Sequence, residues 1–381
     1  MNEFLTLNPR VAEIPASMIR EIASRKRASS IDLGLGEPTL APTSAFLEAA
    51  LQETLERGLR YSPNAGLHEL RTAIAAHYRY PNMERAENVC VTTGSQEAMY
   101  VALKTLLDPV RDELLIVEPC FPSYAKMARL EGVAVRGVAM LEEHDFAFDA
   151  RRILDAVTDR TRAIVICSPN NPTARVISRS EAARLISGIT ARGGEPIWLI
   201  HDEIYREQCF VEDAAELARD YPYTIVTNSL SKSNALTGLR LGWLIAPEPF
   251  IEAAIKCHAW VTSCADTFAQ RVALHIFAKP GGITEHGAWY REHRNGVVKA
   301  LKASALRFIE PEGAFYTCIR LPDGRRSLPA ALELLEREDV VTIPGAAFGA
   351  DFDGWLRLSW VAPLPQVRDG IERIARYITS L

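Results

Sequence analysis

The feature that most restricts the fold of this chain is an alternation that begins near residue 89, where short apolar runs take turns with segments of helical periodicity. The runs cover residues 89–92, 113–117, 163–167, 197–200, 224–227 and 241–246, and most are apolar throughout instead of at every second position. A strand that is apolar on both sides must be covered on both faces. Between the runs, residues 97–107, 180–190 and 250–260 read as helices. Strand followed by helix followed by strand predicts an α/β fold, a mostly parallel sheet sandwiched by helices. In such sheets ligands lie beyond the carboxyl ends of the strands. The residues that follow each run therefore matter most.

Those residues are rich in polar groups. Thr92-Thr93-Gly94-Ser95-Gln96 follows the first run, Glu118-Pro119-Cys120-Phe121-Pro122-Ser123-Tyr124 the second, and Ser168-Pro169-Asn170-Asn171-Pro172-Thr173 the third. His201-Asp202-Glu203-Ile204-Tyr205 and Asn228-Ser229-Leu230-Ser231-Lys232 follow the fourth and fifth. A purely structural sheet has no reason to repeat this pattern at five successive strand ends, and one shared pocket accounts for all of them. The last third changes character. Gly313-Ala314-Phe315-Tyr316, Pro344-Gly345 and Leu356-Arg357-Leu358-Ser359 read as short strands and turns among helices, a second and smaller α+β domain.

With 381 residues the chain has room for two to three structural units. Its formal charge of −5, without a run of like charges, argues against nucleic acid or a membrane surface as partner. Seven cysteines without a C-x-x-C pair read as reduced, mostly buried thiols and give no metal site. The sequence shows neither a secretion signal at its start nor 18 consecutive apolar residues, so a cytoplasmic setting is expected.

Four groups suggest chemistry. Gly94-Ser95-Gln96 stands where a strand hands over to a helix, which suits an anion at free N–H groups or simply a tight turn. Gly34-x-Gly36 lacks the third glycine of a dinucleotide fingerprint. Asp202 ends an apolar run, so its carboxylate needs a cation or several donors; a structural arginine or a capping role would serve as well as a ligand. Tyr205, three residues on, either packs or aims into the same pocket. Lys232 also follows a buried run, and a lysine held among apolar groups has a lowered pKa that suits Schiff-base chemistry. Ser229, Ser231 and Arg240 supply hydroxyls and a planar fork that match a phosphate. Together they argue for a phosphorylated aldehyde.

The chain resembles the fold-type I pyridoxal-phosphate enzymes, and among them the class I/II aminotransferases related to aspartate aminotransferase. The resemblance runs from about Ile31 to the C-terminus. It rests on LGLGEP, YSPNAGLHELR, TTGSQEA, SPNNPT, DEIY, SLSKSNALTGLR, PEGAFY and RLS, eight motifs in matching order. It implies that Lys232 joins pyridoxal 5′-phosphate as an aldimine and then moves the proton, and that Asp202 keeps the pyridinium nitrogen charged. Asn171 and Tyr205 would bond the ring O3′, and Tyr124 would stack on the ring. Gly94, Ser95, Gln96, Ser229, Ser231 and Arg240 would hold the phosphate, joined by Tyr61 of a neighbouring subunit in a homodimer. Arg357 would clamp the substrate α-carboxylate, helped by the Gly36 amide, with Leu35 near the substrate side chain. No metal is implied.

The activity so implied is ping-pong transfer of an amino group between an L-amino acid and a 2-oxo acid, in amino acid metabolism or biosynthesis. A β-lyase or other eliminating enzyme of the same fold type shares Lys232, Asp202 and Arg240. A ligand-sensing regulator would need a DNA-binding domain, for which the roughly 30 residues before Ile31 are too few. Aspartate-specific bacterial members carry a lysine where this chain has Ser95, which demotes aspartate as substrate. Ala174 replaces a usual glycine, and Asn234 a frequent aromatic. The expected division is a large cofactor domain at residues 44–281 and a small domain at residues 1–43 plus 282–381, with the segment before Ile31 over the site mouth or across the dimer.

Overall fold

The computed structural model describes residues 8–41 and 43–381. Its main sheet has seven strands: β1 (Val89–Thr92), β2 (Glu113–Glu118), β3 (Ala134–Ala139), β4 (Thr161–Cys167), β5 (Trp198–Asp202), β6 (Thr224–Ser229) and β7 (Gly242–Ile245). They lie in the order β1-β7-β6-β5-β4-β2-β3. All neighbours are parallel except at β7, which runs antiparallel to both β1 and β6. That reversal has a functional consequence. The carboxyl ends of β1, β2, β4, β5 and β6 share one edge, and the turn entering β7 delivers Arg240 and Leu241 to the same edge.

Burial follows the sequence pattern. Leu114 and Ile116 of β2 join the core on one face, and Leu115 and Val117 join the core on the other; Ala163 and Val165 of β4 oppose Ile164 and Ile166 in the same way. Strands buried on both faces read as unbroken apolar runs for this reason. The strand missing from the sequence reading is β3. It is an edge strand whose Arg136 and Gly137 are exposed, so it lacks the continuous apolar signal.

Helices α1 (Ser44–Arg57), α2 (His68–Tyr78), α3 (Gly94–Leu106), α4 (Arg179–Ala191), α5 (Glu248–Val261) and α6 (Thr267–Ala278) surround the sheet, and α7 (Gly287–Ala303), α8 (Ser327–Glu338) and α9 (Leu364–Thr379) belong to the C-terminal third. In α4 the Ser178 hydroxyl caps the helix by accepting the Glu181 N–H at 3.2 Å, and Ala182, Leu185 and Ile189 form the buried stripe. In α9 the stripe is Val367, Gly370, Ile371, Ile374 and Tyr377.

The C-terminal third builds a three-stranded antiparallel sheet from β8 (Tyr316–Arg320), β9 (Ile343–Pro344) and β10 (Trp355–Ser359), with β10 in the middle. Ile31–Asp32 pairs in parallel with Val340–Val341, so the early segment is fastened to the late one. The short helices Pro9–Ala12 and Met18–Ser24 precede it. Ile22 is buried in the core, and Lys126 donates to the Pro15 carbonyl at 3.4 Å, so residues 8–30 pack on their own chain. Residues 1–7, part of the segment expected over the site mouth, lie outside the described residues.

Candidate active site

The sheet register brings the acid end together. Cys167 of β4 lies opposite Asp202 of β5, and Asp202 lies opposite Thr227 of β6. The Asp202 carboxylate is buried and accepts the Tyr124 hydroxyl at 2.7 Å, the Thr227 hydroxyl at 3.2 Å and the Ile204 N–H at 3.3 Å. Burial pushes its pKa up, and these donors only partly oppose the rise. Among the described residues no lysine, arginine or histidine nitrogen comes within 4 Å of it. Three neutral donors solvate the charge without neutralising it.

Lys232 sits in the short helix Leu230–Ser233 that follows β6, and its amine donates to the Gly36 carbonyl at 2.6 Å. Burial lowers its pKa to about 8; Glu37 opposes the shift, while Arg357 and Arg240 add to it. Arg357, in the central strand β10, is also buried. Its guanidinium donates to the Asn171 side-chain oxygen at 3.2 Å and to the Gly34 carbonyl, and it lies 4.4 Å from the Tyr316 ring centroid. Its Nε is buried without a partner, and no carboxylate in the described chain pairs with it. The Tyr205 and Tyr316 hydroxyls are 3.0 Å apart. A side chain at Gly36 would strike the Tyr316 hydroxyl, so glycine is required for this approach.

The anion end is made of backbone. No side chain caps α3, which leaves first-turn N–H groups free at Gly94, Ser95 and Gln96. Gly94 has φ +80, and an added Cβ would lie 2.7 Å from the Arg240 guanidinium. At Gly242 an added Cβ would meet the Gly94 and Ser95 backbone at 2.4–2.5 Å. The two glycines hold the fork of Arg240 against the start of the helix, an arrangement that attracts a phosphate-like anion. The Ser229 hydroxyl accepts the Ser231 N–H at 3.2 Å, fixing the turn that carries Lys232.

The structure thus brings Gly36, Asn171, Tyr205, Lys232 and Arg357 together, with Asp202 and Tyr124 beside them and Gly94 to Gln96 with Arg240 at the far end. Leu35 is exposed, next to Gly36. Tyr61 is 89% exposed. Tyr124, expected on a ring face, also spends its hydroxyl on Asp202. The sequence reading missed Thr227 and the Gly34 carbonyl, whose roles depend on strand register and on a contact 323 residues away in the chain. Ala174 has φ +59, a left-handed position that explains why glycine is usual there. Asn234 is fully buried and donates to the Gly282 carbonyl at 2.8 Å, tying the lysine turn to the segment before α7.

The seven-stranded sheet of this order, covered by helices and meeting a buried amine, acid and guanidinium beyond its strand ends, places the protein in the α/β class. Residues 28–374 match the family model described as aminotransferase class I and II, and the chain belongs to that family. It is 34% identical over 383 residues to an aspartate aminotransferase of Pyrococcus horikoshii, covering 96% of each chain. It is 30% identical to a probable N-acetyl-LL-diaminopimelate aminotransferase of Bacillus subtilis, covering 98% of this chain and 95% of that one. The fold matches the crystal structure of an aspartate aminotransferase from Thermotoga maritima with a TM-score of 0.91 at 28% identity, over 98% of this chain and 100% of that one. The protein is an aminotransferase with the fold-type I architecture. Among the described residues no helix is long and apolar enough to cross a membrane.

Proposed function

We propose that this aminotransferase uses pyridoxal 5′-phosphate to exchange an amino group between an L-amino acid and a 2-oxo acid. The observation that carries the reading is the charge pattern of the site. Among the described residues, an enclosed amine with a pKa of about 8 stands with a buried acid that has no cation and a buried guanidinium that has no acid.

The residues fit the cofactor on these grounds. Asp202 would face a pyridinium nitrogen, Asn171 and Tyr205 the ring oxygen, Lys232 the aldehyde, and Gly94 to Gln96 with Ser229, Ser231 and Arg240 the phosphate. When bound, the cofactor supplies the aldehyde that takes up the amino group and the ring that accepts the electrons released at the substrate α-carbon. Lys232, neutral for part of the time near pH 8, is suited to take and return the α-proton. Arg357 would present its planar fork of N–H donors to a carboxylate, and its guanidinium packs against the Tyr316 and Phe348 rings. Ser95 puts no cation on the first turn of α3, which supports a substrate other than aspartate.

We further read the working form as a homodimer. Leu51, Leu55, Leu59, Tyr61, Trp260 and Val261 are exposed, and Trp260 reaches 92%. The loop carrying Tyr61 is joined to the segment after α5 through Asn64, which donates to the Ser263 carbonyl at 2.7 Å, and we read these exposed side chains as one apolar face. A second copy of this chain would cover it and bring Tyr61 to the partner's phosphate. The division into residues 44–281 and residues 1–43 plus 282–381 belongs to the same reading, as does a cytoplasmic setting for seven unpaired cysteines.

The test is a half-reaction. Purified protein with pyridoxal 5′-phosphate is mixed with single amino acids, and the pyridoxamine form and the 2-oxo acid should appear in equal amounts. Steady release of ammonia without the pyridoxamine form would make the enzyme a lyase instead.

A further inference from the structure

One buried charged cluster has no part in the chemistry above. Glu97 lies just after Gly94-Ser95-Gln96 in α3. Its carboxylate accepts the Thr93 backbone N–H at 2.5 Å and the Thr262 hydroxyl at 2.6 Å, and it lies 3.1 Å from His258 Nδ1. His258 is completely buried in α5, and its Nε2 has no hydrogen-bond partner. Burial pushes the Glu97 carboxyl up, but hydrogen bonds from His258, Thr262 and Thr93 outweigh it and bring the pKa to about 2. The acid is therefore charged at every physiological pH although it stands one helical turn from a proposed anion site. A free carboxylate there would repel a phosphate. Held by three partners, this one is tied to Thr93 and to His258 and Thr262 of the neighbouring segment.

Thr93 is the residue from which the turn departs, and no side chain caps the helix behind it. Its N–H is taken by Glu97, and Gly94 follows with positive φ, where an added Cβ would meet the Arg240 guanidinium. Fixing Thr93 fixes the direction of the amides that follow it. We propose that Glu97, braced by His258 and Thr262, is a positioning residue for the phosphate cradle formed by Gly94, Ser95, Gln96 and Arg240. The inference rests on the reading of that turn as the cradle. It requires the effect of Glu97 to be confined to ligands that carry a phosphate.

The experiment compares the full-length protein with its Glu97→Gln and Thr262→Val variants, measuring dissociation constants for pyridoxal 5′-phosphate and for pyridoxal, which lacks the phosphate, by quenching of tryptophan fluorescence. Glutamine keeps the shape of the side chain but loses the charge that satisfies three donors. Its binding of pyridoxal 5′-phosphate should weaken about tenfold, with pyridoxal changed by less than about twofold; Thr262→Val should show the same selectivity at about threefold. Equal weakening for both vitamers, or none for either, overturns the role of Glu97. If Glu97→Gln does not fold, Thr262→Val decides by the same criterion. If the unaltered protein binds the two vitamers equally, the cradle itself is wrong, and the role of Glu97 falls with it.

Discussion

The two ends of the site are built in opposite ways. At the acid end, Asp202, Tyr124, Tyr205, Asn171 and Arg357 are all buried side chains, each fixed by a partner from another element. At the anion end the donors are backbone groups of one turn, while Gln96, Arg240 and Tyr61 are exposed. The first end is built by contacts within one chain. The second, in our reading, is joined by a second subunit. In our reading, chemistry that needs a fixed charge pattern is placed in the buried core, and grip on a phosphate is placed where adjustment is cheap.

Substitutions at the acid end should therefore damage rate and leave assembly intact. The largest effect is expected for Asp202→Asn. The amide keeps the bond from Tyr124 or Thr227 but cannot hold a ring nitrogen charged, so kcat should fall by a factor on the order of 10²–10³, measured by single-turnover loss of the cofactor band. An unchanged kcat would show that the acid end is scaffolding. Arg357→Lys comes next. Lysine keeps the charge but not the planar fork, and the loss of charged hydrogen bonds worth about 1.5–3 kcal/mol should raise KM for amino acids by roughly ten- to a hundredfold. Equal KM values in variant and parent would remove the carboxylate clamp from Arg357.

Part of the acid end was legible in the sequence, because Asp202, Tyr205 and Asn171 sit just past apolar runs that read as buried strands, whereas Arg357 was reached through the family resemblance alone. The positions of Asp202, Tyr205, Lys232 and Asn171 follow from that pattern alone, and the parallel order of the sheet from the helices between the runs. What could not be read was pairing. Thr227 reaches Asp202 through register between β5 and β6, and the guanidinium of Arg357 reaches the Gly34 carbonyl and Asn171 from the far end of the chain. Strand β3 was invisible because an edge strand need not be apolar on both faces. The bracing of Thr93 by Glu97, His258 and Thr262 depends on packing between α3 and α5, which no local pattern encodes.

The anion end should respond to assembly where the acid end does not. Trp260→Glu puts a charge on the most exposed large apolar side chain of the described residues, and, if these side chains form the subunit contact, sedimentation should show a monomer. With Tyr61 of the neighbour gone, affinity for pyridoxal 5′-phosphate should drop about fivefold, the worth of roughly one hydrogen bond, while the environment of Asp202 stays unchanged. A monomer with undiminished affinity would separate Tyr61 from the phosphate and leave the comparison resting on burial alone.

The smallest effect concerns the amine that stands between the two ends. In protein without cofactor, the pKa of Lys232 is about 8 in the fold against the ordinary 10.5. Between those values the folded state binds fewer protons than the unfolded state, so stability rises with pH across that window. Below pH 8 both states are protonated and the fold bears the full cost of an enclosed charge, on the order of 1–3 kcal/mol. Lys232→Met removes the charge and keeps the length of the side chain. The variant should unfold at a higher urea midpoint than the parent at pH 7, with the advantage shrinking from pH 8 upward and gone near pH 10.5. A parent as stable as the variant at pH 7, with no trend up to pH 10, would mean that solvent reaches the amine freely. Lys232 would then belong with the adjustable anion end instead of the preformed acid end.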